Sequence, residues 1–250
     1  MKKIIGQLKP YVPEEPAESV QARLGVDRLV RLSANENPYG TSPKVREAVL
    51  DYVANNDANL YPDGNASSLR SVLANYWNVE ENQLVIGVGL DEVISMVNKT
   101  FINTGDSIVI SVPAFSEYGL NGLVEGAVIR EVPCIEATGQ YDFGAMRKAV
   151  DDTTRLVWIC NPNNPTGTYE SVEDIRKFIG TLPDNVLVII DEAYIDFVTS
   201  VEVPTARVLL DEFPNVCIMR TFSKAYGLAN YRVGYMMSSA ELANYIQTIR

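Results

Sequence analysis

Residues whose side chains could perform chemistry cluster in the stretch TFSKAYGLANYR, residues 221–232. Thr221, Ser223 and Lys224 follow an apolar run, and Arg232 comes eight positions after the lysine. A lysine that is partly removed from water beside other cations has a lowered pKa and can act as a nucleophile. Hydroxyl and guanidinium groups bind phosphate. The stretch therefore indicates a nucleophilic lysine next to a phosphate site, and an ordinary surface lysine is the alternative.

Polar or flexible positions also follow two other apolar runs. Gly87 and Gly89 precede a helical stretch, where free backbone N–H groups bind anions, although a simple tight turn would use the same glycines. Asp191 follows five apolar residues. A buried carboxylate without a partner is costly, so Asp191 requires a cation such as a protonated ring nitrogen or a core arginine. A helix N-cap is the third alternative for Asp191.

Composition excludes several classes of function. The 250 residues include no histidine, which removes histidine-based triads, general bases and metal ligands, and we expect no metal site. A net charge of −11 argues against nucleic-acid and anionic-membrane partners. Cys134, Cys160 and Cys217 are scattered, which is typical of reduced thiols in a cytoplasmic protein. The amino-terminal residues do not resemble a signal peptide, and no apolar run approaches the ~20 residues of a membrane span.

Apolar, β-branched runs alternate with helical stretches along the chain. Strands are predicted over residues 83–89, 107–113, 127–133, 155–160, 186–191, 216–221 and 232–237. Helices are predicted from Pro43 onwards and over residues 67–77, 91–102, 172–180, 205–213 and 239–250. Strands that are apolar throughout are buried on both faces, so we expect an α/β fold with a mostly parallel, seven-stranded sheet sandwiched by helices. The polar residues after each strand should then converge on one crevice.

Several motifs resemble those of a known family. NPNNPTG (161–167), DEAY (191–194), TFSK (221–224) and YRVG (231–234) resemble fold-type I pyridoxal-phosphate-dependent aminotransferases, whose large domain has the expected sheet. SANENPYG (33–40), YPDGNASSLRSVLANYW (61–77) and GVGLDEVI (87–94) resemble the histidinol-phosphate aminotransferases in particular. The resemblance extends from about residue 30 to the end of the chain.

The resemblance implies roles around the cofactor ring. Lys224 matches the lysine that carries the cofactor covalently, and its freed amine then moves the substrate proton. Asp191 matches the carboxylate that keeps the pyridine nitrogen protonated. Tyr194 and Asn164 match the hydrogen-bond donors to the ring 3′ oxygen, and Phe115 matches the aromatic residue that stacks on the ring. Lys224, Asp191 and Tyr194 are thus the expected catalytic residues.

The resemblance also implies a phosphate site and two more distant contacts. Residues matching the phosphate ligands are Gly89, Leu90, Asp91, Thr221, Ser223 and Arg232. Leu90 departs from the family, which usually has a small residue such as serine there, so a hydroxyl contact is lost. Tyr61 matches a tyrosine that reaches the cofactor of the neighbouring subunit in a homodimer. Asn37 is expected near the substrate, with a structural turn as the alternative.

By this resemblance, the expected reaction is transamination between an amino donor and a 2-oxo acid, with histidinol phosphate and 2-oxoglutarate as the substrates in histidine biosynthesis. Alternatives are an aromatic aminotransferase, a lyase similar to threonine-phosphate decarboxylase, and a cofactor-binding module without turnover. The expected domains are an amino-terminal arm (1–32), a large cofactor-binding domain (33–237) and the start of a helix (238–250) leading to a small domain that is largely missing.

Overall fold

The computed structural model describes residues 3–8, 15–56, 58–202 and 204–250. The strands are β1 (Leu84–Val88), β2 (Ser107–Val112), β3 (Val128–Pro133), β4 (Thr154–Cys160), β5 (Leu187–Asp191), β6 (Val216–Thr221) and β7 (Val233–Met237). The helices are α1 (Ala17–Leu24), α2 (Pro43–Asn55), α3 (Ser67–Trp77), α4 (Gly89–Phe101), α5 (Ser116–Glu125), α6 (Phe143–Ala149), α7 (Val172–Ile179), α8 (Leu209–Glu212) and α9 (Ala240–Thr248). Each predicted strand is thus present within two residues of its expected ends.

The seven strands form one sheet in the order β1-β7-β6-β5-β4-β2-β3. Only β7 runs against its neighbours, since it pairs antiparallel with both β1 and β6. The other pairs are parallel, which leaves β1 to β6 all running in one direction. The predicted mostly parallel, seven-stranded sheet is confirmed, and the carboxyl ends of six strands meet at one edge.

Side chains of the central strands are buried on both faces of the sheet. In β5, Val188 and Ile190 join the core on one side, which α7 covers, whereas Leu187 and Ile189 join the core on the other side, beside α4. Successive side chains of a strand point to opposite faces. This two-sided burial explains why the strand sequences are apolar throughout instead of alternating with polar residues.

Several helical regions differ from the sequence-based expectation, and they include helix α6 (Phe143–Ala149), which was not predicted. The helix predicted over residues 205–213 is a 3-10 turn (Ala206–Val208) that continues into the single turn of α8. Helix α5 was not expected, because its sequence contains two glycines. A Cβ at Gly122 would collide with Ile108 Cδ1, so close packing on the sheet outweighs the poor helix propensity of glycine. Among the described helices, none has the length and apolar character required to cross a membrane.

Candidate active site

A cavity of about 770 Å³ lies at the carboxyl edge of the sheet. Its walls combine groups from several strand ends with the irregular segment around Ala34 and Asn35. The predicted site residues that line it are Leu90, Asp91, Phe115, Asn164, Asp191, Tyr194, Thr221, Ser223, Lys224 and Arg232. The fold therefore brings together residues that are up to about 140 positions apart in sequence, as convergence of parallel strand ends requires.

Asp191, the last residue of β5, provides a buried carboxylate in this cavity. Its Oδ2 accepts a hydrogen bond from the Tyr118 hydroxyl at 2.7 Å, and its Oδ1 accepts one from the Ala193 N–H at 2.9 Å. Burial raises the pKa of Asp191 to about 6, and these two hydrogen bonds oppose the rise. Lys224 also lowers this pKa, but by less than either hydrogen bond, and no described lysine or arginine forms an ion pair with Asp191.

Lys224 follows β6 and presents a half-buried amine to the same cavity. Its Nζ donates a hydrogen bond to the Ala34 carbonyl oxygen at 3.1 Å and lies 5.7 Å from the centre of the Tyr194 ring. Burial lowers the pKa of Lys224; Arg232 acts in the same direction, and Glu36 and Asp91 oppose it. The lowered pKa increases the fraction of neutral amine, which is the nucleophilic and basic form.

Other polar and aromatic groups surround this lysine and carboxylate. The Tyr194 hydroxyl accepts a hydrogen bond from Asn35 Nδ2 at 3.0 Å, and burial raises the pKa of this phenol. Asn164 is half-buried in the loop after β4. Phe115 is the N-cap residue of α5, and its ring contacts Tyr118 edge-on at 5.6 Å between ring centres. Phenol, amide and aromatic ring thus face one cavity.

The amino-terminal end of α4 and the residues that follow β6 make up a candidate anion site. Helix α4 begins at Gly89, and its thirteen residues direct the positive end of their dipole towards the cavity. Ser223 and Thr221 place their hydroxyls 3.0 Å apart. Arg232 donates from Nη2 to Asp91 Oδ2 at 3.0 Å, with both side chains well exposed.

The backbone at this anion site depends on glycine. Gly89 has φ +75°, and a Cβ there would collide with Arg232 Nη2. A Cβ at Gly234 would lie 2.8 Å from the Gly89 carbonyl carbon, so β7 and the start of α4 approach as closely as backbones can. Arg232 itself has a positive φ of +53°, an uncommon conformation for a residue with a side chain. The backbone at Gly89 and the Arg232 guanidinium are therefore packed directly against each other, which an ordinary tight turn would not require.

These groups fit a ligand that combines a phosphate, a carbonyl carbon and a basic ring nitrogen. The α4 terminus and Arg232 provide positive potential for a phosphate. Lys224 provides an amine for a carbonyl carbon. Asp191 is a buried carboxylate that forms an ion pair with no described lysine or arginine, and a protonated ring nitrogen would provide the cation. By contrast, the described residues contain no cluster of acidic or cysteine side chains arranged to hold a metal ion.

A protein-family model described as aminotransferase class I and II matches residues 27–250. The chain belongs to that aminotransferase family. The family resemblance stated from the motifs is thereby confirmed, and the match includes every strand and helix of the sheet-containing region.

Individual aminotransferases are similar over the whole chain. The histidinol-phosphate aminotransferase of Limosilactobacillus fermentum is 49% identical over 100% of this chain, which spans 69% of that protein. The Lactiplantibacillus plantarum histidinol-phosphate aminotransferase is 48% identical over 100% of this chain and 70% of that protein. The crystal structure of the Sinorhizobium meliloti histidinol-phosphate aminotransferase in complex with pyridoxal-5'-phosphate has a TM-score of 0.87, with 29% identity, over 100% of this chain and 66% of that one.

Three of the expected aminotransferase site residues do not line the main cavity. Gly89 lies beneath Arg232, at the base of the anion site. Asn37 lines an adjoining cavity of about 680 Å³ that shares Asn35, Glu36, Asn164 and Tyr194 with the first. Its Nδ2 donates to the Ala225 carbonyl oxygen at 2.9 Å, which supports the residues just after Lys224. Tyr61 is fully exposed on this chain.

Two contacts to the aminotransferase site were not predicted from the sequence. Tyr118 hydrogen-bonds Asp191, and Asn35 hydrogen-bonds Tyr194. Tyr118 lies three residues after Phe115, one turn along α5, so the helical period could have placed it beside that ring. Asn35 lies in the SANENPYG motif, but only the folded chain brings it to the phenol.

Proposed function

We propose that this protein is a pyridoxal 5'-phosphate-dependent aminotransferase that acts on histidinol phosphate and 2-oxoglutarate in histidine biosynthesis. The observation that carries the proposal is a single cavity shared by the Lys224 amine, the Asp191 carboxylate and the Arg232 anion site. The names of relatives at 48–49% identity support the choice of substrate.

The residues present divide the work of holding the cofactor. Thr221, Ser223 and Arg232 would bind the phosphate together with the N–H groups of Leu90 and Asp91, because these groups border the α4 terminus. Asp191 would hold the proton on the ring nitrogen, since a cation relieves its buried charge. Tyr194 and Asn164 would donate to the ring oxygen, and Phe115 would cover the ring. When bound, pyridoxal phosphate supplies an electron-accepting ring.

Lys224 is the group that moves the substrate proton in this proposal. Its amine lies inside the cavity, and burial lowers its pKa, so that a neutral fraction exists nearer to neutral pH. The chain has no histidine to serve as a competing base. Lys224 Nζ would therefore take the proton from the carbon that bears the amino group and return it to the product.

Borohydride labelling together with product analysis tests the assignment. We expect sodium borohydride to fix pyridoxal phosphate on Lys224, identified by peptide mass mapping, and histidinol phosphate plus 2-oxoglutarate to yield glutamate. Lys224→Ala should lose the label and at least ~10³-fold in turnover, because it removes both the attachment point and the base. Lys177→Ala, which alters an exposed lysine on α7, is the matched control. Unchanged turnover in Lys224→Ala would contradict the proposal.

The alternatives predict different products. A lyase similar to threonine-phosphate decarboxylase would release carbon dioxide, an aromatic aminotransferase would prefer an aromatic amino donor, and a module without turnover would bind the cofactor but form no glutamate. Separate measurement of carbon dioxide, glutamate and bound cofactor distinguishes the lyase and the module without turnover. A parallel mixture with an aromatic amino acid as the amino donor distinguishes the aromatic aminotransferase.

The proposal includes a homodimer in which Tyr61 reaches the neighbouring cavity. Large apolar side chains that are exposed on α2 and the residues after it support an interface there: Leu50, Tyr52, Val53, Leu60 and Tyr61. We expect a dimer in sedimentation velocity, and Tyr61→Ala should weaken pyridoxal phosphate binding. Two results together would argue against this arrangement: a wild-type protein that sediments as a monomer, and a Tyr61→Ala variant that binds pyridoxal phosphate as tightly as the wild type.

Two further assignments are part of the proposal. We retain the division into an arm (1–32), a cofactor-binding domain (33–237) and the start of a further helix (238–250), and the end of β7 at Met237 supports the second boundary. A cytoplasmic location is supported by Cys134, Cys160 and Cys217, which are all free thiols.

A further inference from the structure

We propose that Tyr118 is a positioning residue of the active site: its hydroxyl holds the Asp191 carboxylate ionised and correctly oriented for the ring nitrogen of the cofactor. This inference rests on the proposed function. Tyr118 is only 1% exposed, and its hydroxyl donates to Asp191 Oδ2 at 2.7 Å. The other oxygen accepts from the Ala193 N–H at 2.9 Å, so both carboxylate oxygens are held from different directions.

Packing fixes the direction of the Tyr118 hydroxyl. The ring stacks on Trp158 of β4 with 4.6 Å between ring centres and 11° between planes. It also contacts the edge of Phe115 at 5.6 Å between centres. Two rings from different elements thus leave the phenol one orientation, with its oxygen at Asp191. Tyr118 therefore connects the start of α5 to the carboxylate at the end of β5.

Few of the groups around Asp191 stabilise its charge. Cys160 on β4 and Tyr194 beyond β5 provide no cation, and Asp91 on α4 raises the pKa of Asp191. Lys224 lowers the pKa of Asp191, but by less than either of the two hydrogen bonds does. Among the groups that oppose the effect of burial, the Tyr118 hydroxyl is the strongest, followed by the Ala193 N–H.

Tyr118 can act only as a donor to this carboxylate. Burial and the neighbouring Asp191 charge hold the pKa of the phenol well above its ordinary value, so that it keeps its proton at any physiological pH. Removing the hydroxyl leaves Asp191 with one neutral donor in a site where a bare carboxylate is costly. The Asp191 pKa should then rise, and the ionised form should be lost at a higher pH.

Tyr118→Phe tests this role, because phenylalanine keeps the ring contacts and removes only the donor. We expect the affinity for pyridoxal phosphate to fall about tenfold near pH 5 and to match the wild type near pH 8, as a rise of about one unit in the Asp191 pKa requires. Titration of the cofactor itself is common to both proteins and cancels in the ratio. Fluorescence quenching over a pH series measures the affinities.

Tyr235→Phe is the matched control. Tyr235 is 4% exposed, and its hydroxyl accepts a hydrogen bond from Trp77 Nε1 at 2.8 Å, on the other side of the sheet. Its loss should change cofactor affinity by the same factor at every pH. A pH-independent loss in Tyr118→Phe as well, or no loss at all, would overturn the proposal, since a purely structural contact gives no acid-specific effect.

A second measurement avoids the cofactor and separates this inference from the proposed function. In urea unfolding of the cofactor-free protein, Tyr118→Phe should lose more stability above about pH 6 than below it, because the hydroxyl stabilises only the ionised carboxylate. In an Asp191→Asn background that pH dependence should disappear. A stability loss that is independent of pH overturns the role of Tyr118. Failure of the wild type to bind pyridoxal phosphate at any pH overturns the proposed function instead.

Discussion

Asp191 and Glu192 are adjacent and both buried, but they lie in opposite surroundings. Glu192 forms an ion pair with Arg220 at 3.1 Å and accepts hydrogen bonds from the Ala206 N–H at 2.6 Å and the Thr205 hydroxyl at 2.8 Å. Asp191 has two neutral donors and no described cation in ion-pair contact. The comparison shows that burial alone does not mark a ligand site. A buried carboxylate that lacks its cation does.

Burial raises the pKa of both carboxyls, and the neighbouring groups decide how far each rise is opposed. For Glu192, the Arg220 guanidinium acts strongly against the effect of burial. Burial alone would lower the pKa of Arg220, but Glu192, Tyr235 and Asp196 together raise it above its ordinary value, so we take the Arg220–Glu192 pair as ionised. Because Glu192 follows Asp191 and Arg220 precedes Thr221, the pair joins the two strands that carry the site.

The largest change in the free energy of unfolding is expected when Glu192 loses its partner Arg220. Arg220→Met should reduce the free energy of unfolding by ~3–5 kcal/mol, because it leaves the Glu192 charge buried without a cation. Arg220 also packs over the Trp77 ring at 4.8 Å, a contact that methionine preserves in part. Urea unfolding measures the change.

Lys177→Met is the control for that loss of charge. The Lys177 side chain is 67% exposed and lies 3.7 Å from Glu173, so its removal leaves no buried charge. If both variants lose the same stability, the distinction drawn between a buried pair and a surface pair is wrong.

The second-largest change in the free energy of unfolding is expected at Asp191, and here the substitution should stabilise the protein. Burial raises the pKa of Asp191 from 3.8 to about 6, so the folded protein loses stability as the pH rises through this window. Asp191→Asn never ionises and should be more stable than the wild type above about pH 6, by on the order of 3 kcal/mol. Tyr118 can then accept from the new amide, since a hydroxyl serves both roles.

Asp191→Asn should therefore change stability and cofactor affinity in opposite directions. Below about pH 4 the two proteins should have equal stability, because Asp191 is then neutral in both folded and unfolded states. Cofactor affinity should fall even though the protein is more stable. Destabilisation of the variant at alkaline pH would show that Asp191 already has a satisfactory partner within the chain.

The smallest effect is expected at an exposed carboxylate. Asp91 and Arg232 pair at 3.0 Å, but their side chains are 59% and 43% exposed. Asp91→Asn should change stability by less than about 1 kcal/mol, since solvent screens such pairs. It keeps the backbone N–H and frees Arg232 for phosphate, so the affinity for pyridoxal phosphate should rise about two- to fivefold.

Asp211→Asn provides the comparison for Asp91. Asp211 pairs with Arg207 at 2.7 Å and is 69% exposed, but neither residue lines the main cavity. Its replacement should alter stability equally little and leave cofactor affinity unchanged, measured by the same fluorescence titration. Lower affinity in Asp91→Asn would mean that Asp91 orients Arg232 rather than competing for it.

Much of this site is predictable because parallel strands end at one edge. Asp191, Thr221 and Lys224 could be located from apolar runs that end in polar residues, and the structure places all three on one cavity. The sheet itself follows from continuous apolar strands separated by helices. Helix α5 was missed, because local propensity disfavours its glycines, whereas packing against β2 requires them.

The sequence by itself determined which chemical groups are present and at which strand ends they lie, because strand and helix periods are local properties. It could not show that Glu192 forms an ion pair with Arg220 whereas Asp191 forms none with any residue that the structure describes. Adjacent strand residues point to opposite faces, and their partners come from distant segments: Tyr118 is 73 positions from Asp191, and Arg220 is 28 from Glu192. Only the tertiary structure decides which neighbours meet across those separations, and so which buried carboxylate is left for a ligand.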